Sequence, residues 1–271
     1  MTRITWQTRC LVTVAAIALA GAIVSVQTPA EKLAPTGTLR AVFLGGNPVQ
    51  GRVDGKTGEV TGTVPDLTRE LARRLQVPVS IVSAPDAAGV IGALRSGTAD
   101  IGFLAYDEMR AREVDFGPAF VVMANSYLVK ATSLIRVSQD VDQAGITVAA
   151  VRGQTQEHFV SGAMKRARVR VLDVMPPAAD VDMLLTSGAV DAFAINRQRA
   201  LEAEAASAGR LRALPDSFLD VDQCFVVAKG NAARLEMVEQ FVGEVRASGF
   251  IKQSIERAKL VGVNVAPPRK R

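Results

Sequence analysis

Leu94-Arg95-Ser96-Gly97-Thr98-Ala99-Asp100 and Leu185-Thr186-Ser187-Gly188-Ala189-Val190-Asp191 share the pattern Leu-x-Ser-Gly-x-x-Asp. Each runs on into an apolar stretch, ending at Leu104 and at Ile195. A helix end, a glycine able to take a left-handed cap and an aspartate entering a buried strand together make an α/β corner. Two such corners at corresponding places predict two similar α/β lobes.

Working outward, short apolar runs alternate with amphipathic ones. Thr38–Leu44, Val77–Val82 and Ile101–Leu104 read as strands, as do Ile146–Val151, Val169–Val174, Val190–Ile195 and Cys224–Ala228. Asp66–Leu75 reads as a helix, with Leu67, Leu71 and Leu75 four apart and Asp66 available as N-cap. Ala87–Ser96 reads as another, with Val90, Ile91 and Leu94 facing inward. Further helices are expected at Thr155–Ala167, Ala179–Ser187, Arg197–Ala208, Leu235–Ala247 and Phe250–Lys259. The glycine- and charge-rich segment from Gly45 to Gly62 reads as a hairpin or surface excursion. Strands separated by helices of this length predict mainly parallel sheets.

Composition narrows the function classes. The 271 residues are 48% apolar and 22% charged, which is globular and large enough to bury a core without staples. The net charge is +5 with a pI near 9.5. Setting aside Arg3 and Arg9 leaves 30 bases against 27 acids, and no basic block is interleaved with aromatics. No nucleic-acid partner is therefore expected. The basic end, Arg269 to Arg271, reads as a solvated terminus. The cysteines are Cys10 and Cys224, and His158 is the one histidine, so neither a zinc site nor a Ser-His-Asp triad is expected, and no cofactor is implied. Arg3 and Arg9, the uncharged Leu11–Val26 and the small residues up to Ala30 have the pattern of a secretory signal, with cleavage after Ala20 or Ala30. An uncleaved membrane anchor is the alternative, although the run is short for a span. The mature chain is expected to be soluble and outside the cytoplasm.

Several segments, taken in order, resemble one family. These are GTLRAVF (37–43), GTVPDLTRELARRLQVPVSIV (62–82), LRSGTADIGF (94–103), RAREVDFGPAF (110–120), VRGQTQEHF (151–159) and LLTSGAVDAFAIN (184–196). Together they resemble the amino-acid-binding periplasmic proteins of ABC importers, which have the type II binding-protein fold. The resemblance spans about residues 36–262. It implies two α/β lobes with mainly parallel sheets joined by a two-strand hinge, crossing near Val121–Ser126 and Val221–Gln223. The implied division is a signal at 1–30, a first lobe from 31–122 and 223–271, and a second lobe at 123–222.

The resemblance also assigns site residues. Arg110 matches the arginine that forks onto a ligand carboxylate, chemistry that suits a permanently charged group with paired donors. Thr155, after the turn at Gly153, matches the helix start that meets the same carboxylate. Asn196 stands where the family usually has an aspartate that pairs with the ligand's ammonium. Either the ligand lacks that ammonium, or a neighbour such as Asp191 replaces the aspartate. Tyr106 is a candidate wall of the pocket, while Phe103 reads as core. The loops near Asn47 and Ala87 lack the family's clamping aromatics, and Asp100–Arg110 is two residues shorter than usual. His158 reads as a surface or satisfied helix histidine.

The implied function is capture of a small polar carboxylate, an amino acid or an organic acid, for the permease subunits of an ABC importer. The resemblance also implies a periplasmic monomer. Two alternatives share the fold. One is an enzyme such as a periplasmic cyclohexadienyl dehydratase, with Glu157 as the candidate acid. The other is a ligand-sensing domain anchored to a membrane.

Overall fold

The computed structural model describes residues 28–268. The signal-like stretch up to residue 27 and the basic end from residue 269 lie outside the described residues. The chain opens with α1 (Pro29–Leu33), β1 (Leu39–Leu44), the hairpin β2 (Arg52–Val53) and β3 (Val60–Thr61), α2 (Thr63–Leu75), β4 (Val79–Ala84), α3 (Ala87–Arg95) and β5 (Ile101–Ala105). A 17-residue strand, β6 (Val114–Lys130), follows. Next come β7 (Thr147–Val151), α4 (Thr155–Ala163), β8 (Arg168–Leu172), α5 (Ala178–Thr186), β9 (Ala192–Asn196), α6 (Arg197–Ala206) and β10 (Leu211–Ala213). The chain then returns through β11 (Leu219–Ala228), α7 (Ala232–Ala247), α8 (Phe250–Arg257) and β12 (Val263–Val265).

Ten strands form one sheet in the order β4-β1-β5-β11-β6-β9-β7-β8, with β10 and β12 also paired to β6. The outer runs, β4-β1-β5 and β9-β7-β8, are parallel. Antiparallel β11 and β6 stand between them. This is an α/β fold of two lobes joined by a pair of long strands. β6 is paired to β11 from Val114 to Asn125 and to β9 from Asn125 to Val129.

The apolar clusters follow the same division. On the β1 side, Phe103, Phe120 and Phe225 are fully buried, and Phe103 and Phe225 lie 4.4 Å apart between ring centroids. Phe103 is thus core, as its place on a strand implies. On the β7 side, Tyr127 stacks on Phe218 at 4.2 Å. Val90, Ile91 and Leu94 of α3 are buried as their spacing predicts.

The repeated corner carries the same bonding in both halves. Gly97 and Gly188 take positive φ of 69° and 77°, conformations that favour glycine. The Asp100 N–H donates to Arg40 O at 2.8 Å, and its Oδ2 accepts from Arg40 N at 3.0 Å. The Asp191 N–H donates to Thr147 O at 2.8 Å, and its Oδ2 accepts from Thr147 N at 2.8 Å. Each aspartate therefore clamps the first residues of the neighbouring strand, β1 or β7.

Among the helix ends that differ from the sequence reading, those of α2 and α4 have a clear cause. Asp66 does not cap α2; Gly62 does, because Pro65 fits the first turn, where its missing N–H costs nothing. Asp66 instead accepts from Ser254 Oγ at 2.6 Å and Arg257 Nη2 at 2.7 Å, tying α2 to α8. α4 stops at Ala163 and not at Ala167, because the Asp142 carboxylate takes the N–H groups of Lys165, Arg166 and Ala167 at 2.7–3.0 Å.

Candidate functional site

Four of the five residues singled out in the sequence meet where the two halves face each other. Arg110, Thr155 and Asn196 line a cavity of about 40 Å³ together with Asn47, Ala105 and Arg199, and Gly153 holds the turn beside it. A second cavity of about 580 Å³ adjoins it, with Gly46 and Arg199 lining both. Its walls are mostly small or apolar, including Val53, Met175, Val181 and Ile195. No aromatic residue lines either cavity among the described residues.

Arg110 is only 8% exposed. Its Nη1 donates to Ala105 O at 3.0 Å and its Nη2 to Gly153 O at 2.7 Å. The second bond crosses from one half of the molecule to the other. Burial pushes the guanidinium below its ordinary value, against the pull of Asp107, and it remains charged.

Thr155 is the first residue of α4 rather than its cap; the cap is Gln154, which offers no side-chain bond. Gly153, at φ 71°, turns the chain into that position. Thr155 Oγ1 is buried and makes no hydrogen bond. Asn196 ends β9 and caps α6, its Oδ1 accepting from Arg199 N at 2.9 Å.

Tyr106 is not brought to the cavity. Successive residues of an extended chain point to opposite sides. Ala105 lines the cavity, whereas Tyr106 is 41% exposed and packs edge-on against Phe116.

Further bonds join the two halves around the site. His158 Nδ1 lies 2.7 Å from Asp107 Oδ2. Val261 N donates to Gln198 Oε1 at 2.7 Å and Arg52 pairs with Glu202, while Gln156 Nε2 donates to Asn125 Oδ1 on the connecting strand β6 at 2.6 Å.

The model for bacterial extracellular solute-binding proteins, family 3, matches residues 42–258, which include both halves and every cavity residue named above. The chain belongs to this family. As a family-3 solute-binding protein it shares its fold with many solved structures. A putative ABC-transporter binding component from Wolinella succinogenes, complexed with lysine, is 23% identical, with a TM-score of 0.71 over 82% of this chain and 95% of that one. The ancestral amino-acid-binding protein AncCDT-1, a precursor of cyclohexadienyl dehydratase, is 23% identical, with a TM-score of 0.68 over 84% and 97%. A histidine kinase sensor domain is 21% identical, with a TM-score of 0.69 over 84% and 98%. At these identities the likeness establishes the fold. No curated protein matches the chain. Among the described residues, no helix of this solute-binding protein is long and apolar enough to cross a membrane.

Two site features escaped the sequence reading of this family-3 chain. One is Arg199. An arginine in the first turn of a helix opposes the helix dipole, and α6 has no acidic residue there. That mismatch was a readable sign. The other is the partner of His158: the histidine is satisfied, but by Asp107 from the facing half, 51 residues away, which nothing local announces.

The Asp107 pair gives this binding protein a pH response. Burial raises the Asp107 carboxyl. The bonds from His158 and from Arg110 N, with the charges of both residues, outweigh burial and hold it below the ordinary carboxylate range. A depressed carboxyl stabilises the folded form fully above its unfolded value, about 4, and ceases to do so as pH falls through its lower folded value. The melting temperature of the parent should exceed that of Asp107→Asn at pH 6. The gap should shrink as pH drops below about 4. A gap that stays constant down to pH 2.5 would show that Asp107 contributes no charge-dependent stability.

Proposed function

We propose that the chain captures a small carboxylate-bearing solute in the cleft between its halves and delivers it to the membrane permease of an ABC importer. One observation carries this reading. A buried guanidinium, a buried hydroxyl without a partner and the start of a helix converge on one cavity at the seam of the fold. Each suits an anion: the guanidinium by paired donors, the helix start by its free N–H groups and partial positive charge. The proposed lobes are residues 31–122 with 223–271, and 123–222, with β6 and β11 as the hinge. The bonds between Asp107 and His158 and between Arg110 and Gly153 O are those expected of lobes shut on each other. Residues 1–30 are proposed as the secretory signal, and the mature protein as a periplasmic monomer.

The enzyme reading has less support. Glu157, its candidate acid, accepts from Gly153 N at 3.3 Å and Ser161 Oγ at 2.9 Å and lines neither cavity. Among the described residues, no Asp, Glu, His or Cys lines the smaller one.

Isothermal titration against a panel of carboxylates should give at least one dissociation constant at or below about 1 μM, near −8 kcal/mol. Incubation with prephenate or arogenate should leave both unchanged. Turnover of either would replace capture with catalysis.

A further inference from the structure

We propose that the solute is a short dicarboxylic acid without an ammonium group, one carboxylate lying on Arg110 and Thr155 and the other on Arg199. This rests on the capture reading above and narrows it.

The charges of the cleft are unbalanced. Three arginines, Arg52, Arg110 and Arg199, line the two cavities. Glu202 is their one acid among the described residues, and it is already engaged by Arg52 and by Gln198 Nε2. Asp107, near Arg110, has its oxygens bound by His158 and by the N–H groups of Met109 and Arg110.

Arg199 is therefore conspicuous. It is half-buried in the first turn of α6, and its guanidinium makes no hydrogen bond among the described residues. Its Nη1 reaches the β1 side of the cleft, 4.0 Å from where a Cβ on Gly46 would sit. A glycine there leaves the approach open. Burial lowers its affinity for its proton, Glu202 raises it, and Arg52 lowers it. A desolvated guanidinium with spare donors at the junction of two cavities is suited to a second anionic group.

The site is equally poor in places for an ammonium. Among the described residues, no carboxylate lines the smaller cavity. Ala105 O and Gly153 O are occupied by Arg110, Asn47 Oδ1 by Val49 N, and Asn196 Oδ1 by Arg199 N. Capping fixes the Asn196 amide with its oxygen turned to the helix, so what it has left to offer is the Nδ2 donor. An ammonium placed here would meet the positive charge of Arg110 and Arg199, with only neutral groups, such as the amides of Gln154 and Gln156, to accept from it. The adjoining cavity of about 580 Å³ gives a chain of several carbons room to reach Arg199.

The test uses matched pairs that differ only in the ammonium: succinate with aspartate, and glutarate with glutamate. Butyrate serves as the one-carboxylate control. In titration calorimetry the better dicarboxylate should bind at least about tenfold more tightly than its amino-acid partner and than butyrate, the scale of one bond to a charged group. Arg199→Ala should remove about tenfold or more of the dicarboxylate affinity while leaving butyrate within about twofold. Arg199→Lys should restore part of the loss, and equal melting temperatures would verify that both variants fold. Aspartate or glutamate binding as tightly as its partner, or Arg199→Ala weakening butyrate and dicarboxylate alike, overturns the dicarboxylate and leaves capture standing. If no acid of any class binds or raises the melting temperature, capture itself fails and this inference with it.

Discussion

Arg110→Ala should weaken binding of the tightest acid by about 10- to 150-fold, the value of hydrogen bonds to a charged group. The effect combines two losses. The solute loses its paired donors, and Ala105 O and Gly153 O lose the group that bridges the halves. Arg110→Lys should recover only part of the affinity, since an ammonium supplies charge without the planar fork. Calorimetric titration of parent and both variants decides the matter. An unchanged dissociation constant in Arg110→Ala would take Arg110 out of the site.

Asp100→Ala should cost about 3–5 kcal/mol of folding stability, the range for breaking a buried ion pair. Asp191→Ala, at the matching corner, should cost only about 1 kcal/mol. The two corners read alike in sequence and make the same backbone clamp. Their surroundings differ. Asp100 is 1% exposed and also takes Arg40 Nε and Nη2 at 3.0 and 2.8 Å, with Arg234 Nη2 at 3.6 Å. Its removal leaves two arginines facing each other. Asp191 is partly exposed, with only the Thr147 N–H bound to its carboxylate. Urea unfolding of the two variants measures the difference. Equal losses would mean that the arginines add nothing to the first corner.

The corners illustrate what the sequence could convey. A glycine at a left-handed cap, an aspartate three residues on and an apolar strand are local, so the pattern reads directly from the chain. Arg110, Gly153, Thr155 and Asn196 were legible for a different reason. They sit at element ends where breakers, caps and charged residues stand out against apolar runs, and an ordered set of such ends resembles one family. Long-range partners were not legible. Tyr106 looked like a pocket residue because only the pleat of the extended chain decides which of Ala105 and Tyr106 faces the cleft.

β6 is absent from the strands read in the sequence; Gly117 and Pro118 fall within it, and proline argues against a central strand. The sheet accommodates them where β11 shifts register between Cys224 and Val226, so that Ala119 pairs with Cys224 and Phe116 with Val226. A proline at such a bulge needs no ladder partner. The irregularity lies on the pair of strands that joins the halves, where sequence reasoning expects a regular element least.

That shared strand also bears on how the protein is lost. Val114–Lys130 supplies backbone partners to β11, β9, β10 and β12 alike. A protease that cuts within it destroys the frame of both halves at once, and neither fragment keeps a complete sheet. Degradation should therefore remove the molecule whole, with no surviving half left folded.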